Sequence, residues 1–372
     1  MAPGSGYSYR ETALSDHRID GAKVRLHPGG ASATTVPDAI PRPDIRFEPV
    51  RDRYGWRLAL VFGNHAPAGV CPYYAASRCF HCDIGAGEGR AFDHAGNRQR
   101  LAWFRDHYQR KLDSISHLVL YNSGSVLNPR EMSPELLDEV IDFACALPSV
   151  RVISLDSREA YIRPAVLRRI LLVTREDVIV RPILGIESAN DQIRNKVLRK
   201  GMSQAAIDRV FHDLGTLATE LGPEKIGLDV NIVIAGPGTS QDNAVDDAVM
   251  TTRSVLIAGI ENGVDVDLNL HPYYAGSRGS ARFPDHRRCS LATTVRAMSK
   301  IAELARSLAV GSSIFIGWHD EGHDREQEQR LVEIERARAA FDCFNQTNDP
   351  GSLIGLEQSL ALEQQSRRSI SE

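Results

Sequence analysis

Short apolar runs alternate with stretches of helical spacing along most of this chain. Arg57-Leu-Ala-Leu-Val-Phe-Gly63 is apolar, stops at Gly63 and is followed by Pro67 and Gly69, which predicts a buried strand. His117-Leu-Val-Leu-Tyr121 predicts a second. Ser133 and Pro134 then announce a helix, as N-cap and first helical residue, with Leu136, Leu137, Val140 and Ile141 at 3.6-type spacing. Residues 151–155, with a helix holding Val166, Leu167, Ile170 and Leu171, repeat the unit. Residues 177–186, 226–234 and 264–270 complete six predicted strands, and Pro182 would favour an edge or a bulge for the fourth if the sheet were ordinary. Beyond them the pattern predicts a helix over 292–308, a strand-like segment over 313–319 and a charged helix over 324–344. The last 25 or so residues, rich in Gln, Ser and Glu, read as a frayed end, and residues 1–50 read as an irregular arm.

Strands alternating with helices predict an α/β fold paired in parallel through right-handed crossovers, either an open doubly wound sheet or a barrel. Both place function at the C-terminal strand ends. At those ends stand Cys71, Ser123 with Gly124, Asp156 to Arg158, Glu187, Gly236 to Gly238, and His271, one group per strand.

Composition narrows the class. The 372 residues are 42% hydrophobic and 25% charged, which excludes disorder over the whole chain. With 44 basic and 48 acidic side chains the formal charge is -4, and only six residues are Lys, so no global positive field points to nucleic acid or an anionic membrane. No run of about 18 apolar residues occurs and the N-terminal segment lacks the apolar core of a signal peptide. The expectation is a soluble cytoplasmic protein with no membrane partner.

Six cysteines sharpen this. Cys145, Cys289 and Cys343 are scattered and read as packing, whereas Cys71, Cys79 and Cys82 crowd into Cys71-Pro-Tyr-Tyr-Ala-Ala-Ser-Arg-Cys79-Phe-His-Cys82. Three thiolates suit an iron–sulfur cluster with one iron left open, or a zinc ion completed by a remote His65, His94 or His271. The residues alone leave both open, the second as a zinc-stabilised or redox-sensing module without turnover.

A three-cysteine loop after the first strand of a repeating β/α fold resembles the radical S-adenosylmethionine (radical SAM) superfamily. The x7 and x2 spacing is similar to the branch of the archaeosine-forming tRNA lyase and the radical SAM domain of the Elongator catalytic subunit. So are Tyr121-Asn-Ser-Gly-Ser-Val-Leu-Asn-Pro-Arg-Glu131, Leu155-Asp-Ser-Arg158, and Gly185-Ile-Glu-Ser-Ala-Asn-Asp191 followed by Arg194 and Lys200-Gly201. The likeness runs from about Trp56 to Tyr274. It implies a partial (β/α)6 barrel over 51–285, an N-terminal arm over 1–50, and C-terminal helices and a strand over 286–372 covering the barrel.

The same resemblance implies that Cys71, Cys79 and Cys82 ligate a 4Fe-4S cluster and that S-adenosyl-L-methionine binds its open iron. His81 would lie against the adenine, with Ile232 and Gly236 flanking it. Ser123, Gly124 and Ser125 would meet the methionyl amino group, Arg158 its carboxylate, and Glu187 the ribose hydroxyls or amino group. The plainer alternatives are a loop at 123–125, a turn at Gly236 to Gly238, and ion pairs joining Arg158, Glu187 and Arg194. Substrate-side candidates are His271, Tyr273 and His319, with Asn231, Asn269, Tyr274, Trp318 and Asp320 beside them.

The expected activity is reductive cleavage of S-adenosylmethionine and hydrogen abstraction from a small-molecule substrate, plausible in specialised biosynthesis, with an external reductant such as flavodoxin or ferredoxin. The family likeness also offers a tRNA or nucleoside substrate for a lyase. Negative net charge, scarce Lys and no added RNA-binding segment weigh against nucleic acid without excluding it.

Overall fold

All six predicted strands form, the strand-like segment over 313–319 supplies a short seventh, and one further short strand precedes them. The computed structural model describes residues 47–82, 91–273, 277–286, 289–308, 311–317 and 331–371. Its sheet runs in sequence order: β1 (Val50–Asp52), β2 (Gly55–Val61), β3 (Ile115–Tyr121), β4 (Val152–Ser157), β5 (Ile179–Glu187), β6 (Gly227–Ile234), β7 (Asp265–Pro272) and β8 (Ile314–Ile316). β1 pairs antiparallel with β2, and every later pair is parallel. The architecture is a partial α/β barrel of the expected type.

Between the strands lie α1 (Pro72–Ala75), α2 (His94–Tyr108), α3 (Pro134–Ala146), α4 (Pro164–Val173), α5 (Gln204–Leu221), α6 (Ala244–Asn262), α7 (Ser277–Arg282) and α8 (Leu291–Ser307). Ser133 caps α3 as read, accepting from Leu136 N at 3.2 Å, with Pro134 at the first helical position. α9 (Leu331–Thr347) and α10 (Gly351–Ser371) follow β8. The frayed end is therefore a correction: Leu353, Leu356 and Leu360, at helical spacing, are buried and α10 packs on α8. No helix among the described residues is long and apolar enough to cross a membrane.

Pro182 is also corrected. It sits in a central strand, in register with Leu155 of β4. On the β6 side a lone bridge, Val180↔Ile226, precedes a ladder that resumes at Ile183↔Asp229, so the missing N–H falls in a gap of the pairing. The only register shift in β5 lies between Gly185 and Glu187.

Strand alternation sorts the later strands cleanly. Leu228, Val230, Ile232 and Ile234 of β6 and Val266, Leu268 and Leu270 of β7 join the apolar core. The intervening Asp229, Asn231, Asp267 and Asn269 face the barrel interior, whose lower half is an ionic network rather than an apolar layer. The buried Arg181 guanidinium meets Asp229 at 2.6 Å, Asp265 at 2.7 Å and Asp267 at 3.3 Å. Tyr54 donates to Asp267 at 2.6 Å, Ser154 to Asp229 at 2.5 Å, and His117 bridges Ser154 and Asp52 at 2.7 and 2.6 Å.

β1 and β8 are the open edges of the sheet. α9 packs against both and spans the gap between them. Asn345 of α9 ties this wall to the sheet, accepting from Ile316 N at 2.7 Å and donating to Ile316 O at 3.1 Å.

Candidate active site

Above the ionic network a cavity of about 330 Å³ opens at the C-terminal strand ends. Cys71, Cys79 and Cys82 all line it, together with His81, Gly124, Arg158, Glu187, His271 and Tyr273 from the sequence-based set.

The cysteine loop is built from local backbone geometry. Cys71 precedes α1, whose first residue is Pro72. Ser77 and Cys79 adopt φ of 54° and 51°, a left-handed conformation that costs non-glycine residues about 1–2 kcal/mol each. The reversal lets Cys79 N donate to Arg199 O at 3.2 Å and Phe80 N to Leu198 O at 2.9 Å, pinning the loop to the segment after β5. Burial pushes the Cys71 thiol up. Among the described residues no three His, Cys, Asp or Glu side chains stand close enough to hold a single metal ion. A four-iron cubane takes each thiolate on a different iron and so spaces its ligands more widely.

Arg158 lies across the Tyr73 ring, 3.6 Å from its centroid, with Nη1 3.2 Å from Cys79 Sγ. Its Nη2 donates to Lys200 O at 2.8 Å and Glu159 Oε1 at 3.3 Å. The alternative pairing with Glu187 does not form. Glu187, with φ of 66°, instead receives Lys200 Nζ at 2.7 Å and lies 3.4 Å from His81 Nε2. Burial opposes its ionisation, but the Lys200 ammonium and His81 outweigh this and hold its carboxyl well below the usual carboxylate range. Arg194, the third member of that alternative, pairs with Asp191 and the Met202 carbonyl.

In the loop after β3, only Gly124 of the three small residues reaches the cavity. A Cβ there would strike the Glu131 carboxylate and come within 2.6 Å of Asn64 Nδ2, so glycine is required by space. Glu131 is the hub, accepting from Asn64 Nδ2 at 3.0 Å, Ser125 N at 3.1 Å and Asn128 Nδ2 at 2.5 Å. Ser123 and Ser125 are buried, and Ser125 Oγ accepts from Arg158 N at 3.2 Å. They shape the loop and do not line the cavity.

Two further expectations are corrected. Ile232 is fully buried in the core facing the helices, because period two turns Asn231 and Val233 inward instead. Gly236 is not on the cavity wall and accepts from Thr239 N at 3.1 Å, the turn its composition offered. Of the three histidines weighed for a zinc ion, His94 is engaged by Ser133 and Glu139, and only His271 lines the cavity. Tyr274, Trp318, His319 and Asp320 lie outside the described residues.

The cavity adds residues that sequence reasoning passed over: Arg57, Tyr121 and Lys200, with Arg338, Phe341, Asp342 and Asn345 of α9. Asp156, noted only by its place at a strand end, also faces inward. Burial pushes its carboxyl up to about 7, against the pull of Lys200 and with the help of Glu187 and Glu131. Its signal was the alternation Ser154, Asp156 along β4. Lys200 had none.

Three buried polar atoms on residues of this wall have no hydrogen-bond partner among the described residues: His81 Nδ1, Ser157 Oγ and Arg158 Nε. Buried polar atoms are rarely left so. They fit a wall built to receive a polar ligand beside the thiols.

No protein-family model matches the chain, and no curated protein matches it. It is similar to Streptococcus suis SuiB, with 12% identity, 70% of this chain and 49% of SuiB covered, and a TM-score of 0.42. It is also similar to the radical S-adenosylmethionine methyltransferase TsrM from Kitasatospora setae, solved with tryptophan substrate and the SAM analog aza-SAM. There the identity is 14%, with 58% of this chain and 36% of TsrM covered and a TM-score of 0.33. The chain spans about half the length of the first and about a third of the second.

Proposed function

We propose that this protein is a radical SAM enzyme acting on a small molecule. Cys71, Cys79 and Cys82 would hold a 4Fe-4S cluster, and S-adenosylmethionine would occupy the adjoining cavity. The observation that carries the reading is the convergence of three thiols with the orphaned atoms of His81, Ser157 and Arg158 on one wall. When bound, the cluster supplies the electron that cleaves the sulfonium and releases a 5′-deoxyadenosyl radical.

The chain's own residues bind, orient and enclose. Arg158, held flat on Tyr73 at the cavity wall, would pair with an anionic group such as the methionyl carboxylate. His81 offers an imidazole face and a free Nδ1 beside Cys82. Glu187, kept ionised by Lys200, accepts from hydroxyl or ammonium donors. α9 covers the open side of the barrel with Phe341 and Arg338, excluding water from a radical that would otherwise be quenched. The small volume and the charge of -4 favour a small substrate over tRNA.

Anaerobic reconstitution with iron and sulfide tests this. The expected result is a brown protein with about four irons that makes 5′-deoxyadenosine from S-adenosylmethionine and dithionite, and that loses both properties in Cys79→Ala. Colourless protein carrying stoichiometric zinc overturns the reading.

A further inference from the structure

We infer that the cavity takes a substrate with a carboxylate and an apolar body, a proposal that rests on the radical chemistry above and names its substrate class. Arg57 holds the carboxylate at the floor, and Phe47, Tyr121, Phe315 and Phe341 receive the body. All of these side chains line the cavity. Arg57 comes from β2, Phe315 from β8 and Phe341 from α9, elements at or beside the seam of the barrel. Arg158 and Glu187, assigned above to S-adenosylmethionine, stand at the ends of β4 and β5 in the middle of the sheet. The two sets therefore occupy different sides of one cavity.

Among the described residues three arginines line the cavity, and Arg57 differs from the other two. Arg158 is held by the Lys200 carbonyl and Glu159, and Arg338 acts on Asp342 one turn away in α9. Arg57 is only 7% exposed, yet its close contacts are neutral. Nη1 reaches Asn269 Oδ1 at 3.4 Å, a long hydrogen bond, and the guanidinium also meets the Tyr121 hydroxyl. Asp52 stands 3.9 Å away, and its oxygens are taken by Tyr54 N at 2.8 Å and His117 at 2.6 Å. It balances charge without occupying a donor. The equally buried Arg181, by contrast, meets its carboxylates at 2.6 and 2.7 Å. Arg57 lies over the Phe315 ring, 4.2 Å from the centroid, and a guanidinium stacked on a ring keeps its in-plane donors for a planar acceptor.

A carboxylate fits this setting better than a phosphate. A phosphate dianion gathers several cations or a helix N-terminus, whereas Arg57 is a single charge beside Asp52. The floor continues as neutral amides, Asn269 donating to Asn231 Oδ1 at 3.1 Å. Burial pushes the Tyr121 hydroxyl up to about 12 against the pull of Arg57, so it stays a neutral donor for the same anion. The rings set the rest of the ligand: Phe47 lies 6.5 Å from Tyr121, and Phe341 is itself fully buried. Holding one end of the molecule here fixes which C–H bond faces the S-adenosylmethionine side.

The test is calorimetric titration of the full-length protein with phenylpropionate, naphthylacetate and isocaproate, each beside its own carboxamide. At least one carboxylate should bind about tenfold or more tightly than its carboxamide. R57M/D52N removes both charges together, so that no carboxylate is left unpaired, and should lose that preference. R57K keeps the charge without the planar fork and should retain only part of it. Circular dichroism checks that the variants fold; if R57M/D52N does not, the wild-type preference and its fall in R57K carry the test. Equal binding of acid and amide by the wild type overturns the proposal, as does a preference that survives intact in R57M/D52N or R57K. So does tighter binding of phenyl phosphate than of any carboxylate, which would make this a phosphate site. Protein that forms 5′-deoxyadenosine with dithionite yet shows no carboxylate preference overturns this proposal alone. Protein that forms none but shows the preference overturns the radical reading and leaves Arg57 as a carboxylate site.

Discussion

Lys200 Nζ meets Glu187 Oε1 at 2.7 Å from 13 residues away, across the π-helical turn Gln192–Val197 that follows β5. Both side chains are nearly buried on the cavity wall. The turn folds the chain back so that the Lys200 carbonyl also holds Arg158 while the ammonium holds Glu187. One residue thereby sets the charge and position of two candidate ligand-binding groups.

Breaking this pair leaves an uncompensated buried charge. We expect Lys200→Met or Glu187→Gln alone to cost about 3–5 kcal/mol in urea denaturation. The K200M/E187L double variant should cost clearly less than the sum of its singles. Strict additivity would show that the two groups are not coupled.

Asp156 carries a pH signature. Its folded pKa of about 7 lies above the ordinary 3.8, so between these values the folded state holds a proton that the unfolded chain has released. Stability therefore falls as pH rises from about 4 to about 7 and then levels off. Asp156→Asn should remove that slope and raise stability at pH 8 by roughly 1–3 kcal/mol. Parallel stability profiles for the two proteins from pH 5 to pH 8 would contradict the assignment.

Gly124→Ala should displace the Glu131 carboxylate from its three donors and cost about 2–4 kcal/mol. Limited proteolysis should then cut the 122–131 loop. Glu131→Ala in the same background relieves the collision, so the second substitution should cost less in G124A than in the wild type. Equal costs in both backgrounds would refute the steric account.

How much was legible in advance varies with the kind of signal. The strands showed as apolar runs, and Ser133 with Pro134 marked the start of α3 because capping is local. The side facing the ligand was misread at Ile232, since period two gives the alternation but not which face looks inward. Pro182 misled because its cost depends on which neighbour its missing N–H faces, a property of register. The α10 leucines were hidden among Gln, Ser and Glu that lie on the other side of the helix. Lys200 and Arg158 were invisible as partners because their contacts join loops from different strands, and no short-range pattern encodes that.

The Arg181 network makes a further expectation. Arg181→Met strands Asp229 and Asp267 in the barrel interior, where burial already pushes Asp267 up. Thermal denaturation at pH 7.5 should register a loss of about 3–5 kcal/mol, shrinking at pH 5 as the carboxyls take up protons. An equal loss at both pH values would argue against an electrostatic origin.

In a closed barrel the number of strands and their stagger fix the bore, and it changes only in steps. Here β1 and β8 do not pair, and the missing staves are replaced by α9, whose Phe341, Asp342 and Asn345 face the cavity. A helix can slide, tilt or exchange side chains without breaking a hydrogen-bond ladder. On this side the width of the pocket is thus set by side-chain volume on one helix, so its size can change by continuous small steps while the sheet beneath stays as it is.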